Sequence, residues 1–121
     1  MMKYEVVVTS IGDMATELME STGDLIIFDT CPLDGLAEIS IMHTTGEIKR
    51  PIQIGDRVTL GKTQYTITAI GDEALKTLEE LGHCTFKFTG NDTVELPGQI
   101  ELRGEGHPEI SLNDIIRIEG N

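Results

Sequence analysis

Residues 9–15, TSIGDMA, recur in a modified form as residues 68–74, TAIGDEA. The same register continues downstream, where it matches a glutamate with a glutamate and Gly23 with Gly82. In both copies a strand-like run leads into a Gly-Asp turn, a helix-like run, a glycine and then an apolar strand. Self-similarity of this kind marks a repeated structural unit. The sequence therefore predicts a strand–helix–strand unit that occurs twice, with approximate internal two-fold symmetry.

Each copy of the unit contains one short predicted helix. In the second copy, Asp72 can cap residues 73–81, which carry an apolar stripe and end at Gly82. In the first copy, Asp13 can likewise cap residues 14–21, and a glycine again follows. We therefore expect two short helices, each ended by a glycine.

Most of the remaining chain alternates between apolar and polar residues at the two-residue period of a strand. Six segments show this pattern: 4–9, 39–43, 64–69, 84–89, 99–103 and 116–119. Thirteen glycines separate these short runs, as turns between strands require. One apolar and one wetter face per strand suits a closed or sandwiched sheet. We expect a mainly β fold, namely a closed antiparallel-type β-barrel with two short helices.

Length and charge narrow the class of protein. With 121 residues, of which 39% are hydrophobic, the chain is expected to form one domain over residues 1–121. The formal net charge of −12 argues against nucleic acid as a partner, because a phosphate backbone would be repelled. The same charge is compatible with docking to a basic protein surface, and equally with simple solubility.

The start of the chain and its two cysteines indicate the compartment. A charged residue follows after two methionines, and the longest apolar run, residues 25–28, has four residues. Neither a signal peptide nor a membrane span fits this pattern. Cys31 and Cys84 lack the spacing of a metal or redox motif. We expect two reduced thiols in a cytoplasmic protein.

Three histidines are the candidates for chemistry: His43, His83 and His107. His43 ends a predicted strand and shares its inward phase with Ile39 and Ile41. Spacing alone is more typical of a buried histidine with a satisfied hydrogen bond than of a catalyst. His83 falls at a predicted helix-to-strand junction. His107 lies in a loop rich in glycine and is expected to be exposed.

Several kinds of site find little support in the sequence. Zinc bound by His43, His83 and either cysteine would lack the close ligand spacing of structural zinc sites. The chain also has no Walker loop, no GxGxxG pattern and no GxSxG elbow. We therefore expect neither a cofactor nor a metal.

Histidine nucleophilic chemistry remains, since a neutral imidazole has one unprotonated nitrogen that can attack phosphorus. Thr44, Thr45 and the Gly46 amide are suitable donors beside His43.

In its order of motifs the chain resembles the glucitol/sorbitol-specific IIA component of the bacterial phosphoenolpyruvate-dependent sugar phosphotransferase system. The resemblance covers nearly the whole chain. It rests on residues 41–43 with 46–49, then 68–71, then 81–83 and the strand that follows, then 97–98.

The resemblance implies a phosphocarrier. Proteins of this family accept a phosphoryl group from the phosphocarrier protein HPr and pass it to a IIB component. IIB then phosphorylates sugar that arrives through the membrane-embedded IIC. The acceptor position falls on His43, and His83 matches a second histidine, which we expect to have a supporting role. Thr44 and Gly46 would contact the phosphoryl group. A relative carries histidine in place of Thr45, so no role is expected for Thr45.

Two alternatives stay open. The chain could be a non-catalytic regulatory or interaction domain of a sugar-transport system, in which the acidic surface binds a partner. It could also be a metal-binding domain. Phosphorylation by HPr separates the first alternative from the phosphocarrier, and metal analysis tests the second.

Overall fold

The computed structural model describes residues 1–29 and 34–120. In this part of the chain there are eight strands and three short helices. In chain order they are β1 (Met2–Ile11), α1 (Ala15–Thr22), β2 (Asp24–Phe28), α2 (Asp34–Ala37), β3 (Ser40–His43), β4 (Arg57–Leu60), β5 (Thr63–Ile70), α3 (Ala74–Leu81), β6 (Cys84–Lys87), β7 (Gln99–Arg103) and β8 (Ile115–Glu119).

The eight strands form one sheet that closes on itself. Each strand pairs with two others in the order β1-β3-β2-β6-β7-β5-β4-β8, and β8 pairs back with β1. The mainly β class is confirmed, but the antiparallel expectation needs a correction, because β2 with β3 and β6 with β7 run parallel. The chain crosses over between these strands instead of turning back in a hairpin, and a crossover connects parallel neighbours.

The internal repeat is visible in the strand pairing. The unit β1–α1–β2–β3 has the same order and the same partners as β5–α3–β6–β7. Both units even shift register at matching places, between Val8 and Ser10 in β1 and between Ile67 and Ala69 in β5. The two halves of the ring are therefore built on the same backbone plan.

The two predicted helices exist, but their starts differ from the prediction. Asp13 and Asp72 do not cap, and neither helix has a side-chain cap hydrogen bond. The first helical N–H of each instead donates to the carbonyl of Gly12 or Gly71, at 3.1 Å in both cases. A backbone turn at the glycine thus replaces the expected carboxylate cap. The far ends follow the prediction, since a left-handed glycine ends each helix.

Two elements had no sequence prediction: α2 (Asp34–Ala37) and β4 (Arg57–Leu60). The sequence predicted two helices, and the described part of the chain has three. None of them exceeds eight residues. Within residues 1–29 and 34–120, no helix is long and apolar enough to cross a membrane.

The core fills the inside of the ring. All eight strands contribute side chains to it, and α1 and α3 add Ala15, Met19, Ala74 and Leu78. The largest side chains that are fully buried are Tyr4, Phe86, Leu25, Ile27, Leu60, Ile67, Leu78, Ile100, Leu102, Ile116, Ile118 and Glu101. Burial of this apolar surface is the main stabilising contribution to such a fold.

Candidate functional site

His43 closes β3 with its side chain on the inner face of the ring, in the phase that the sequence predicts. It pairs across the sheet with Val8 of β1. Ile41, two residues earlier, lies in the core. Only 2% of His43 is exposed. The imidazole is therefore held inside the protein wall, at the end of a strand where the chain leaves the sheet.

Both ring nitrogens of His43 contact backbone carbonyls. Nδ1 lies 2.7 Å from the carbonyl oxygen of Thr44, and Nε2 lies 2.7 Å from that of Gly82. A neutral imidazole has a single N–H, so it can donate to only one of these two oxygens. The other nitrogen then presents its lone pair, which is the electron pair that a nucleophile uses. The two carbonyls together fix the plane of the ring.

The Gly82 carbonyl is held in place by the end of helix α3. The Gly82 N–H donates to Leu78 at 3.0 Å, and the His83 N–H donates to Thr77 at 3.1 Å. Gly82 itself is left-handed, with φ +61°, and a Cβ on it would lie 2.6 Å from Cε1 of His43. Glycine is therefore required here for two reasons, the backbone conformation and the close approach of the imidazole.

The Tyr4 ring lies beside the imidazole, and two acidic side chains lie close to Gly82 and to the segment after His43. The rings of Tyr4 and His43 meet edge to face, with centroids 6.4 Å apart. Asp29 follows β2, and a Cβ on Gly82 would lie 2.7 Å from its Cβ. Glu79 on α3 accepts a hydrogen bond from the Ile48 N–H at 2.9 Å, which ties the segment after His43 to the helix. The imidazole thus packs against an aromatic ring, and the two carboxylates lie along the segments that carry its carbonyl partners.

The segment after His43 runs alongside β1. The Thr44 N–H donates to the Val7 carbonyl at 2.9 Å, and the Val7 N–H donates to Thr44 Oγ1 at 3.0 Å. Thr44 and Thr45 are exposed. Gly46 packs so closely on β1 that a Cβ there would lie 2.6 Å from Val6. These contacts hold the backbone that carries the Nδ1 partner of His43.

His83 lies next to the site, with contacts of its own. Its Nδ1 is 3.1 Å from the Ile27 carbonyl oxygen, and its ring stacks on Phe28 with centroids 4.0 Å apart and an angle of 11°. The carbonyl that contacts His43 belongs to the preceding residue, Gly82. The structure therefore brings His83 to the neighbourhood of His43 through the backbone.

His107 lies apart from these residues. As predicted, it is exposed in its loop, and its ring packs against Phe88 at 5.6 Å between centroids. It lines a polar cavity of about 440 Å³ with Lys62 and Asp114. His43 is not among the residues that line this cavity.

Cys84 and the metal alternative can be addressed for the described residues only. Cys84 is a free, buried cysteine, and burial raises the pKa of its thiol, which keeps it protonated and unreactive. Cys31 lies outside the described residues. Among residues 1–29 and 34–120, no three His, Cys, Asp or Glu side chains come together as a metal site would require.

Sequence reasoning missed Tyr4 as a neighbour of His43, and it missed the contact of the Gly82 carbonyl. Gly82 was recognised only as a helix end. The internal repeat did contain a partial signal. Because it predicts one closed sheet, it indicates that the last residue of β3 lies near the ends of other strands. No pattern within a single segment could show which residues meet across the ring.

The fold and the site define the class of protein. It is a mainly β protein with one buried imidazole that lies between two backbone carbonyls. The model of the family "PTS system glucitol/sorbitol-specific IIA component" matches residues 3–117. The chain therefore belongs to this family of the sugar-transport phosphotransferase system, which confirms the resemblance read from the sequence.

Individual relatives are similar over almost their entire length. The glucitol/sorbitol-specific EIIA component of Shigella flexneri is 31% identical over 116 residues, which cover 96% of this chain and 94% of that protein. The corresponding protein of Escherichia coli (strain K12) is 30% identical over the same shares. The crystal structure of a PTS system IIA component from Enterococcus faecalis V583 superposes with a TM-score of 0.82 at 25% identity, covering 96% of this chain and 99% of the other.

Proposed function

We propose that this chain is a phosphocarrier subunit, which accepts a phosphoryl group from phospho-HPr on His43 and passes it to a IIB component for sugar uptake and phosphorylation. The observation that carries the proposal is the His43 imidazole, which a strand end and two backbone carbonyls hold in one orientation. Membership of the IIA family supports the same role. An oriented imidazole is what histidine-to-histidine transfer requires, because positioning supplies most of the catalysis.

The transfer is balanced without any cofactor. The lone pair on one nitrogen of His43 forms a new N–P bond while the N–P bond of the donor phosphohistidine breaks. The electron pair of the broken bond returns to the donor ring. The second nitrogen of His43 keeps its proton and its hydrogen bond to a carbonyl. Passing the group on to IIB reverses these roles, so His43 ends in its original state.

Acceptance requires a local rearrangement, since both nitrogens start 2.7 Å from a carbonyl oxygen. The nitrogen that takes the phosphoryl group loses its contact, and the other contact keeps the ring in plane. Only the carbonyls of Thr44 and Gly82 are involved. One lies in the exposed segment after β3 and the other at the end of α3, so a docking protein can displace either without unfolding the sheet.

The residues around His43 take supporting roles in the proposal. Thr44 Oγ1 accepts the Val7 N–H, and its own O–H is still a donor that can reach a phosphoryl oxygen. The Gly46 amide is the second proposed donor in this segment. His83, stacked on Phe28, supports the Gly82 backbone and the approach of the phosphoryl oxygens.

The proposed partners are HPr and IIB, with membrane IIC reached only through IIB. The net charge of −12 favours docking to basic protein surfaces and disfavours nucleic acid. We place this activity in the cytoplasm, without insertion into the membrane, and in residues 1–121 acting as one domain.

The test is phosphorylation of the purified chain by phosphoenolpyruvate, enzyme I and HPr. The wild-type chain should acquire one acid-labile phosphoryl group, and His43→Ala should acquire none. His107→Ala, which changes a histidine far from the site, should label like the wild type. His83→Ala should label more slowly but completely. Labelling of His43→Ala at the wild-type level would remove His43 from the mechanism.

The alternative function, a non-catalytic regulatory or interaction domain, predicts the opposite pattern. The wild-type chain would then bind HPr or IIB without becoming phosphorylated, and His43→Ala would bind equally well. A binding measurement on the same two preparations separates these outcomes.

A further inference from the structure

Tyr4 of β1 carries a hydroxyl group that has no hydrogen-bond partner among the described residues. The residue is fully buried, with 0% exposed, and within the described residues its Oη makes no hydrogen bond. A buried polar group in this condition costs about 1–3 kcal/mol of stability. Phenylalanine would fill the same space without that cost. An unused donor in a core is therefore a reason to look for a ligand atom that it meets.

The Tyr4 ring lies beside His43 and beside the segment that follows it. The Tyr4 ring is edge-on to the imidazole, with centroids 6.4 Å apart. A Cβ on Gly46, in the segment after His43, would lie 3.4 Å from Cε1 of Tyr4. Burial raises the pKa of Tyr4, and the nearby Cys84, Asp29 and Glu79 raise it further.

The Tyr4 hydroxyl can donate a hydrogen bond to an anionic ligand, whereas the nearby carboxylates cannot. Asp29 and Glu79 accept hydrogen bonds when ionised and repel a phosphoryl group. Because the pKa of Tyr4 is raised, its O–H remains protonated and can donate throughout the neutral range. Tyr4 packs edge-on against the buried imidazole and therefore offers a neutral donor that has no partner among the described residues.

We propose that the Tyr4 hydroxyl donates a hydrogen bond to an oxygen of the phosphoryl group that His43 carries. The inference rests on the proposed phosphocarrier function. During transfer the N–P bond of the donor breaks as that of His43 forms, and charge spreads over the three phosphoryl oxygens. A preorganised donor in a dry site stabilises this charge and costs no reorganisation at the moment of transfer. The same contact protects the phosphohistidine from hydrolysis.

The experiment compares Tyr4→Phe with Tyr65→Phe in the full chain. Tyr65 is the matched control, since it is also buried, but its Oη donates to the Gly106 carbonyl at 2.9 Å. The rate of labelling by phospho-HPr, the half-life of the isolated phosphoprotein and the melting temperature are measured for both variants and the wild type.

Tyr4→Phe should label roughly tenfold to a hundredfold more slowly, as the loss of one donor to a charged oxygen implies. Its phosphoprotein should hydrolyse faster, and its melting temperature should be unchanged or higher. Tyr65→Phe should show the reverse, with a lower melting temperature and wild-type labelling. These opposite patterns distinguish a contact to the phosphoryl group from a packing role, because loss of packing would lower the stability and the labelling rate together.

Wild-type labelling and half-life in Tyr4→Phe would overturn the inference while leaving His43 as the acceptor. A lower melting temperature with proportionate loss of labelling would also overturn it, since Tyr4 would then be structural. Failure of the wild-type chain itself to label would instead refute the proposed function. The three results are distinguishable within one set of preparations.

Discussion

The two halves of the strand ring share a backbone plan, but they carry different side chains at the position of His43. In the first half, His43 of β3 pairs with Val8 of β1. At the equivalent place in the second half, Leu102 of β7 pairs with Ile67 of β5. Leu102 is fully buried and His43 is 2% exposed. The same position therefore accepts an apolar side chain or an imidazole, which shows that the shared backbone plan does not depend on the side chain at this place.

The glycines that end the two helices show the same difference. Gly23 and Gly82 are both left-handed, with φ of +77° and +61°. A Cβ on Gly23 would meet nothing within 4 Å, whereas on Gly82 it would meet His43 at 2.6 Å and Asp29 at 2.7 Å. Helix termination explains both glycines. Only the second is also required by a neighbouring imidazole.

The largest effect should come from a feature that both halves share. Gly12→Ala and Gly71→Ala should each destabilise the chain by about 3 kcal/mol, because overpacking against rigid backbone is costly. A Cβ would lie 2.2 Å from the carbonyl oxygen of Ala37 in the first case and of Pro97 in the second. Urea unfolding at 25 °C measures both losses.

The two losses should be similar in size, since a Cβ at either position would lie 2.2 Å from a backbone carbonyl oxygen. A large difference between Gly12→Ala and Gly71→Ala would show that the halves differ in rigidity despite their common pairing. Thr45→Ala, at an exposed position, serves as a control and should change stability by less than about 0.5 kcal/mol.

A smaller effect should separate the halves. Gly23→Ala should cost about 1 kcal/mol, the strain of a left-handed alanine. Gly82→Ala carries the same strain and must also displace His43 and Asp29, so it should cost about 1–2 kcal/mol more. It should also slow labelling by phospho-HPr, whereas Gly23→Ala should not. Equal losses of stability, or equal labelling, would mean that the carbonyl of Gly82 does not position the imidazole.

Much of the architecture was predictable because it repeats. The TSIGDMA and TAIGDEA segments revealed both helices, their terminal glycines and the strands on either side. Parallel pairing within each unit could not be derived in this way. It depends on a crossover between β2 and β3, and alternating residues look the same in either strand direction. The short strand β4 and helix α2 also lack a distinctive pattern.

The site was predictable only in part. The inward phase of His43 follows from alternation with Ile41, and the strand ends where the sequence predicts. Its carbonyl partner on Gly82 and its neighbour Tyr4 lie far from it along the chain. Contacts of this kind depend on how the ring closes, which a local pattern does not encode. The carboxylate caps at Asp13 and Asp72 failed for a local reason, because a glycine carbonyl already accepts the first helical N–H.

An effect that is absent at neutral pH concerns Cys84 and Tyr4, which have no ionisable counterparts, since Leu25 and Thr63 take the equivalent places. Burial raises the pKa of both groups above their ordinary values of 9.0 and 10.0. Above those values the unfolded chain loses protons that the folded chain keeps, so the unfolded state gains stability. The free energy of unfolding should therefore be constant below about pH 9. It should then fall by up to about 1.4 kcal/mol per pH unit for each group.

Substituting Cys84 and Tyr4 one at a time tests whether these two groups cause the loss of stability at high pH. Urea unfolding between pH 7 and 11 is the measurement. Cys84→Ala should be less stable at pH 7, because it leaves a cavity, but its stability should fall less steeply above pH 9. Tyr4→Phe should be at least as stable as the wild type up to pH 10, and its stability should decline less beyond that pH. Each variant therefore removes one part of the alkaline slope. If both variants kept the wild-type slope of unfolding free energy against pH, other groups would be responsible for it. Cys84 and Tyr4 would then not lower the stability of the chain at high pH.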